Sequence, residues 1–489
     1  MSTLEKYFDK FRKNIVGINS TFNSPYGEKK IIYADWIASG RLYEPIEKKI
    51  LEDFGPFIAN THTETSETGT LMTHAYHHSH EIIRKHVNAS EDDIVITACN
   101  GMTGVINKLH RILGLKIQST VVKKEDIKKE DRPVVFVTHM EHHSNHTSWY
   151  ETIADVVVLP PGKDLLVDTE ELERQLVLYK ERKVKIGSFS ACSNVTGIIP
   201  PYFKLSRIMH KHGGVSFVDF AASAPYADID MHPEAPEEKL DAIFFSPHKF
   251  LGGPGSSGVL IFNKSLYNNE VPDNPGGGTV DWTNPWGYYK YIDDIELRED
   301  GGTPGFIQSF RIALAIKLKE QMGVPNIEKR EKELLKQAFK MSAEIPGMNV
   351  LADNTKERLG VFSFYIEGIH YNLIVKLLSD RFGIQVRGGC ACAGTYGHYL
   401  LNVTYQHSKS ITDKIDVGDL SEKPGWVRLS LHPTMTDEEL VFVFDSLKQI
   451  TENIDKWAAE YDYSPKNNEF YFNKGDGENK KKYLKWFEF

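Results

Sequence analysis

From residue 90 to residue 265 the chain alternates short apolar runs with amphipathic stretches. Residues 93–98, 133–137, 156–159, 184–189, 215–218, 242–245 and 258–262 read as strands, rich in Val, Ile and Phe and bounded by turn residues. Helix-period segments lie between them. In 105–113, Val105, Ile106, Leu109, Ile112 and Leu113 share a face. In 168–182, N-capped by Asp168 or Thr169, Leu172, Leu176 and Tyr179 do the same, and 203–212 is a third such helix. Alternation of this kind predicts an α/β domain with a mostly parallel sheet. In such sheets ligands bind outside the carboxyl ends of the strands.

Those ends carry polar groups one after another. Strand 93–98 runs into Cys99-Asn100-Gly101-Met102-Thr103-Gly104 and then a helix, a loop that offers backbone N–H groups and a helix dipole to an anion. Strand 133–137 leads to His142, strand 184–189 to Ser193-Asn194-Val195-Thr196-Gly197, and strand 215–218 to Asp219. Strand 242–245 ends in Ser246-Pro247-His248-Lys249, followed by Gly252, Gly253 and Gly255. A lysine at a strand end, partly desolvated, suits an aldehyde that forms a Schiff base. Gly101, Met102, Thr103, Ser246 and His248 suit its phosphate. Asp219 suits a pyridine nitrogen, His142 a flat ring and Asn194 a phenolic oxygen. Together they match pyridoxal 5'-phosphate. Taken singly, each is an ordinary turn lysine or connection; an incidental set would scatter over both ends of the sheet.

The pattern changes after residue 325. Glycine segments at 275–279 and 300–305 precede a long helix, 306–322. A charged helix to 345, strands 349–353 and 360–367, helix 372–381 and strand 426–431 follow. Thr436 and Glu439 form a capping-box signature ahead of Leu440, Val443, Phe444 and Leu447. This predicts four parts: an N-terminal segment, 1–30, packed on the body through Leu4, Tyr7, Phe8 and Phe11; a large domain, 31–325; a small α+β domain, 326–460; and a tail, 461–489, docked by its aromatics. Residues 402–424 read as a polar flap. His74, His77 and His78 fall on one helical face, with His80 pointing away; His78, above Ile82, is expected to pack toward the core rather than hold a metal.

A net charge of -9 gives a nucleic-acid role no electrostatic support. No apolar run is long enough to span a membrane, and the N-terminus lacks a signal-peptide core. Four cysteines without zinc spacing fit the reducing cytosol.

The motifs Glu141-His142-His143-Ser144-Asn145, Ser193-Asn194-Val195-Thr196-Gly197, Val218-Asp219, Ser246-Pro247-His248-Lys249, Gly276-Gly277-Gly278-Thr279 and Arg387-Gly388-Gly389-Cys390-Ala391-Cys392 resemble the class V aminotransferase family, near its cysteine desulfurases and selenocysteine lyases. The resemblance runs from Tyr33 past Arg428. It implies the fold type I architecture of pyridoxal-phosphate-dependent transferases, with a seven-stranded, mostly parallel sheet and a smaller α+β C-terminal domain. It implies Lys249 as the coenzyme lysine and Cys392 as the nucleophile, with Arg387 favouring its thiolate. Arg428 would bind the substrate carboxylate, with Arg387 and His62 as further substrate contacts. It also implies a homodimer in which Thr279 reaches the partner's phosphate, and a sulfur-acceptor protein. The expected reaction takes sulfur from L-cysteine and leaves alanine. The competing readings are another class V reaction, such as transamination, epimerisation or selenocysteine cleavage, with incidental cysteines, and a non-catalytic coenzyme-binding regulator. Ala222 and Met102 depart from the family's usual residues.

Overall fold

Strand register decides where the polar residues gather. The computed structural model describes residues 2–61, 63–117, 122–475 and 478–488. The chain divides into two units, Ser39–Ser193 with Ile199–Val324, and Met1–Ala38 with Asn194–Ile198 and Pro325–Phe489.

The first unit holds the large sheet. Its strands are β1 (Asp93–Ala98), β2 (Val134–Thr138), β3 (Asp155–Leu159), β4 (Lys185–Ser190), β5 (Val215–Asp219), β6 (Ala242–Phe245) and β7 (Gly258–Asn263). They form one seven-stranded sheet in the order β1-β7-β6-β5-β4-β2-β3. The β2–β3, β2–β4, β4–β5 and β5–β6 pairs are parallel. Only β7 is reversed, antiparallel to both β1 and β6, so all the other strands end at one edge. Every residue of β2, β4 and β6 is buried, as in a sheet covered on both faces. The helices Glu67–His86 and Phe306–Met322 supply Ile83, Ile312 and Ile316 to one face. The helix Gly101–Ile112 supplies Val105, Ile106 and Leu109 to the other, beside Trp149. Each such side chain contributes about 1.5–3 kcal/mol on burial.

The histidine-rich helix, Glu67–His86, sits differently from the expectation. Met72, Tyr76, Ser79 and Ile83 form its buried stripe, while His74, His77 and His78 are exposed. His78 pairs with Glu81 at 2.8 Å on the surface, and His80 is the one that turns inward, to Thr97 at 3.1 Å. The stripe centres on Ile83 rather than Ile82, which rotates the helix by one residue. Among the described residues no group of three or more His, Cys, Asp and Glu is placed to hold a metal, and no helix is long and apolar enough to cross a membrane.

The second unit carries an antiparallel sheet of β8 (Met348–Val350), β9 (Val361–Ile366), β10 (Arg387–Gly389) and β11 (Trp426–Ser430), in the order β8-β9-β11-β10. Phe362, Phe364, Leu377, Val443, Phe444 and Leu447 form its core. The capping box closes on Thr436 and Glu439 at the start of helix Asp437–Ala458. The N-terminal helix Thr3–Arg12 buries Phe8 and Phe11. Within the 402–424 segment, residues Tyr405–Asp416 are helical, with Ile411 buried. In the chain past 460, Tyr461, Phe470 and Phe472 pack against this core, and the terminal aromatics do not. Tyr461–Ser464 and Glu469–Phe472 pair as a hairpin, whereas Trp486 is 74% and Phe487 82% exposed.

A buried ion pair fixes the helix that opens at Gly101. Lys108 is 1% exposed; its Nζ lies 2.6 Å from Glu299 and 3.4 Å from Asp273. Arg111 also binds Asp273, at 2.6 Å, and the Tyr267 hydroxyl donates to Glu299 at 2.8 Å. Removing one charge strands the other in a dry environment. Lys108→Met is therefore expected to lose about 3–5 kcal/mol of unfolding free energy, read by urea denaturation with tryptophan fluorescence. Adding Glu299→Gln should restore part of the loss; an unchanged single variant would contradict the argument.

Candidate active site

In the first unit the loop after β1 meets the turn after β6. The Ser246 hydroxyl accepts the Met102 N–H at 2.8 Å. Gly101 has φ +69°, and a Cβ there would come within 3.1 Å of Ser246 Oγ and 3.6 Å of the His248 ring. Glycine is thus required both for the left-handed turn and for the close approach. Thr103 Oγ1 lies 2.6 Å from Ser144 Oγ, and Ser144 N–H donates to His142 Nδ1 at 3.1 Å. The turn holding His142 is thereby tied to the helix N-terminus. Gly101, Met102, Thr103, His142, Ser246 and His248 are brought together. Burial, reinforced by the Lys249 ammonium, pushes the His248 imidazole down to about 4, so it is neutral at pH 7.

Lys249 and Asp219 follow adjacent strands, β6 and β5. Asp219 is 4% exposed, and its Oδ1 accepts the Ala221 N–H at 2.8 Å. Burial pushes its carboxyl up to about 7; the Ala221 hydrogen bond and Lys249 act in the opposite direction. Next to it stands a residue that sequence reasoning gave no role. Glu141 is wholly buried and accepts from Thr138 (2.7 Å), Asn145 (2.7 Å) and Ser190 (2.5 Å). Burial pushes its carboxyl up, and these donors hold it back. It clamps the ends of β2 and β4, positioning the turn that begins at His142. Its one sequence signal was the Glu-His-His run itself.

Thr279 does not join this set. It is wholly buried, and its hydroxyl donates to the Gly276 carbonyl at 2.7 Å within its own loop. His62 lies outside the described residues.

The second unit assembles a different cluster. Arg428, on β11, is 4% exposed; it donates to the Asn194 carbonyl at 3.1 Å and to Asp35 Oδ1 at 3.0 Å. Burial pushes its guanidinium pKa down, and Asp35 opposes that shift. Arg387 Nε donates to the other Asp35 oxygen at 3.0 Å. Arg387 is therefore engaged with a carboxylate. Asp35 went unnoticed in the sequence because its partners lie more than 350 residues away along the chain. The Asn194 amide donates to the Ala391 carbonyl at 2.7 Å. Its Oδ1 and the Arg428 Nε are buried with no hydrogen-bond partner among the described residues. Two unsatisfied polar atoms of this kind are what a polar ligand would satisfy. Ala391 and Cys392 both adopt left-handed backbone, φ +50° and +57°, and Cys392 is exposed. Cys390 is half-buried.

Comparisons with known proteins bear on both units. The family model described as aminotransferase class-V matches residues 32–443. A probable cysteine desulfurase of Halalkalibacterium halodurans is 30% identical over 367 residues, 74% of this chain and 84% of the relative. One from Staphylococcus aureus is 28% identical over 372 residues, 75% of this chain and 84% of the relative. Among solved structures, the apo cysteine desulfurase of Thermococcus onnurineus superposes with a TM-score of 0.72 at 22% identity, covering 91% of this chain and 98% of that one. A cysteine desulfurase from Escherichia coli superposes with a TM-score of 0.69 at 20% identity, covering 91% and 98%. With its motifs, its fold and a family match across most of its length, the chain belongs to the class V aminotransferase family, whose members are pyridoxal-phosphate-dependent enzymes.

Proposed function

We propose that the protein is a pyridoxal-phosphate-dependent cysteine desulfurase. The observation that carries this reading is the exposed Cys392, presented on two successive left-handed residues and set beside a buried arginine that lacks a full set of partners. The residues of the first unit fit the coenzyme: a glycine turn and helix N-terminus with Ser246 and a neutral His248 for the phosphate, a buried Asp219 for the ring nitrogen, and Lys249 as the amine that holds the aldehyde. Asn194 is assigned to the ring oxygen and His142 to the ring face. When bound, the coenzyme supplies an electron sink that stabilises negative charge at the substrate α-carbon.

The chain's own groups do the rest. The Arg428 guanidinium binds the substrate carboxylate, oriented by Asp35 and by the Asn194 carbonyl. The Lys249 amine removes the α-proton. The Cys392 thiolate attacks the sulfur of L-cysteine: an S–S bond forms at Cys392, the carbon–sulfur bond breaks, and the amino acid leaves as alanine. Purified protein given L-cysteine together with dithiothreitol, which reduces the persulfide and is itself oxidised to its disulfide, should release alanine and sulfide in equal amounts. Cys392→Ser should keep coenzyme absorption yet drop both products to background, and mass spectrometry should find the extra sulfur on Cys392. Normal turnover by that variant would give the reaction to another class V chemistry.

Asp219 yields a pH prediction. Its carboxyl is pushed up to about 7 in the folded coenzyme-free protein, against 3.8 for an unburied aspartate. The folded chain therefore holds that proton more tightly than the unfolded chain. The stabilisation is present below about pH 4 and is lost as pH rises through about 7. Coenzyme-free Asp219→Asn should accordingly melt higher than the parent at pH 8, with the gap closing by pH 4. Loaded, it should turn over roughly 10- to 100-fold slower, the scale of a lost charged hydrogen bond. A parent-like melting profile would remove Asp219 from this role.

A homodimer is the proposed assembly. Strands Val280–Thr283 and Tyr289–Tyr291 form a hairpin beside the Gly276–Thr279 segment. Trp282, Trp286, Tyr288 and Tyr289 on it are all about half exposed or more, Trp286 at 79%. An exposed aromatic cluster of that kind marks an interface. Trp286→Glu with Tyr288→Glu should shift sedimentation from dimer to monomer; an active monomer in the parent would contradict the assembly.

A further inference from the structure

The cysteine loop opens on a groove that lies partly beyond the family match. Residues past 443 lie beyond it, and the hairpin Tyr461–Ser464/Glu469–Phe472 is built there. That hairpin is joined to the floor of the cysteine loop by a short chain of hydrogen bonds. Asn372 donates to the Asn468 carbonyl at 2.5 Å, Asn468 donates to the Tyr371 hydroxyl at 2.5 Å, and Tyr463 donates to Asn468 at 2.8 Å. Asn468 is 6% exposed, so these bonds are protected from water. Between the hairpin and the loop lies a groove of about 720 Å³. Cys390, Cys392, Arg387, Lys376, Lys423 and Asn468 are among the residues that line it.

Its size is that of a small-molecule site, which spans about 300–1,000 Å³. Its charge points to an anion. The groove's only lining carboxylate among the described residues, Glu469, already accepts the Tyr471 hydroxyl at 2.7 Å. Arg387 is paired with Asp35 and Lys376 with Asp380. Among the described residues no carboxylate pairs with Lys423, and its backbone is fixed by the Tyr371 hydroxyl, which donates to the Lys423 carbonyl at 3.2 Å. A groove walled by two thiols and a cation without a carboxylate partner can hold a molecule that has both a sulfur to receive sulfur and a carboxylate to meet the lysine.

We propose that this groove binds a small anionic thiol, which takes the sulfur from Cys392 with Lys423 holding its carboxylate. This rests on the reading that Cys392 carries a persulfide. The thiolate attacks the outer sulfur, a new S–S bond forms on the small thiol, the Cys392–sulfur bond breaks, and Cys392 leaves as thiolate. The proton stays with the transferred sulfur, and no oxidant or reductant is needed.

Two measurements on the holoenzyme test it. The first is calorimetric binding of S-methylglutathione, which cannot accept sulfur. Binding by the parent and by Lys423→Arg, with at least a tenfold loss in Lys423→Glu, is the expected result; no binding by the parent overturns the proposal. The second follows persulfide formation on glutathione and on neutral 2-mercaptoethanol after L-cysteine is added, with the alanine burst counting competent sites in each sample. Transfer should saturate with glutathione, and Lys423→Glu should raise its half-saturation at least tenfold without that change for 2-mercaptoethanol. A rate linear in thiol and equal for both thiols overturns it, as does transfer to a protein thiol with none to glutathione. If no sulfur reaches Cys392 at all, the desulfurase reading falls, and the binding measurement still decides the groove.

Discussion

One reversed strand sets up the first unit. β7 lies between β1 and β6 and runs against both. The loop that follows β1 and the turn that follows β6 are thereby held at the same edge, two strands apart. The contact that results, the Met102 N–H on the Ser246 hydroxyl, joins residues 144 apart in sequence. Everything proposed for the coenzyme depends on it. It places a helix N-terminus on one rim with the neutral imidazole and the lysine of the Ser246–Lys249 turn. The turn carrying Lys249 is sharpened further by Gly253, where a Cβ would collide with the Pro247 carbonyl. A parallel sheet alone would leave the anion loop and the lysine turn wherever crossover lengths put them; the antiparallel insertion fixes them by register.

Much of this was legible in the chain. Continuous apolar runs bounded by turn residues mark buried parallel strands, and the polar residue at each strand end could be read off directly, from His142 to Lys249. What periodicity could not supply was rotation and partnership. The helix Glu67–His86 was readable as a helix, but a stripe displaced by one residue sent His78 to water and His80 to Thr97. A period identifies faces; it does not say which face meets the sheet when histidines and small apolar residues are mixed along it. Glu141 and Asp35 were not legible for a different reason. Each acts by holding other residues, and a carboxylate's partners cannot be inferred from its neighbours when they lie on distant strands. Asp35 sits in a short apolar segment that looks like the end of any strand, yet it joins two arginines of one sheet. In the tail, composition could not say which aromatics pack. Aromatics near a terminus suggest docking, but Trp486 and Phe487 sit among lysines and remain exposed, while Tyr461, Phe470 and Phe472, earlier in the segment, do the packing.

Strain in the cysteine loop ties the second unit's chemistry to its architecture. Left-handed backbone costs a non-glycine residue about 1–2 kcal/mol, and Ala391 and Cys392 adopt it in succession. A relaxed loop would turn elsewhere. Here the Asn194 amide grips the carbonyl between the two strained residues at 2.7 Å, and the Asn194 backbone in turn receives Arg428. The same asparagine therefore holds the thiol's loop in its high-energy form and helps orient the cation assigned to the substrate carboxylate. Its remaining oxygen is left buried without a partner. A polar atom in that state raises the energy of the empty protein and lowers it when something donates to it. If a ligand satisfies Asn194, the grip on Ala391 and the setting of Arg428 are reinforced together, because both bonds share one residue. Strain in the cysteine loop and the unsatisfied oxygen thus meet at one residue, Asn194.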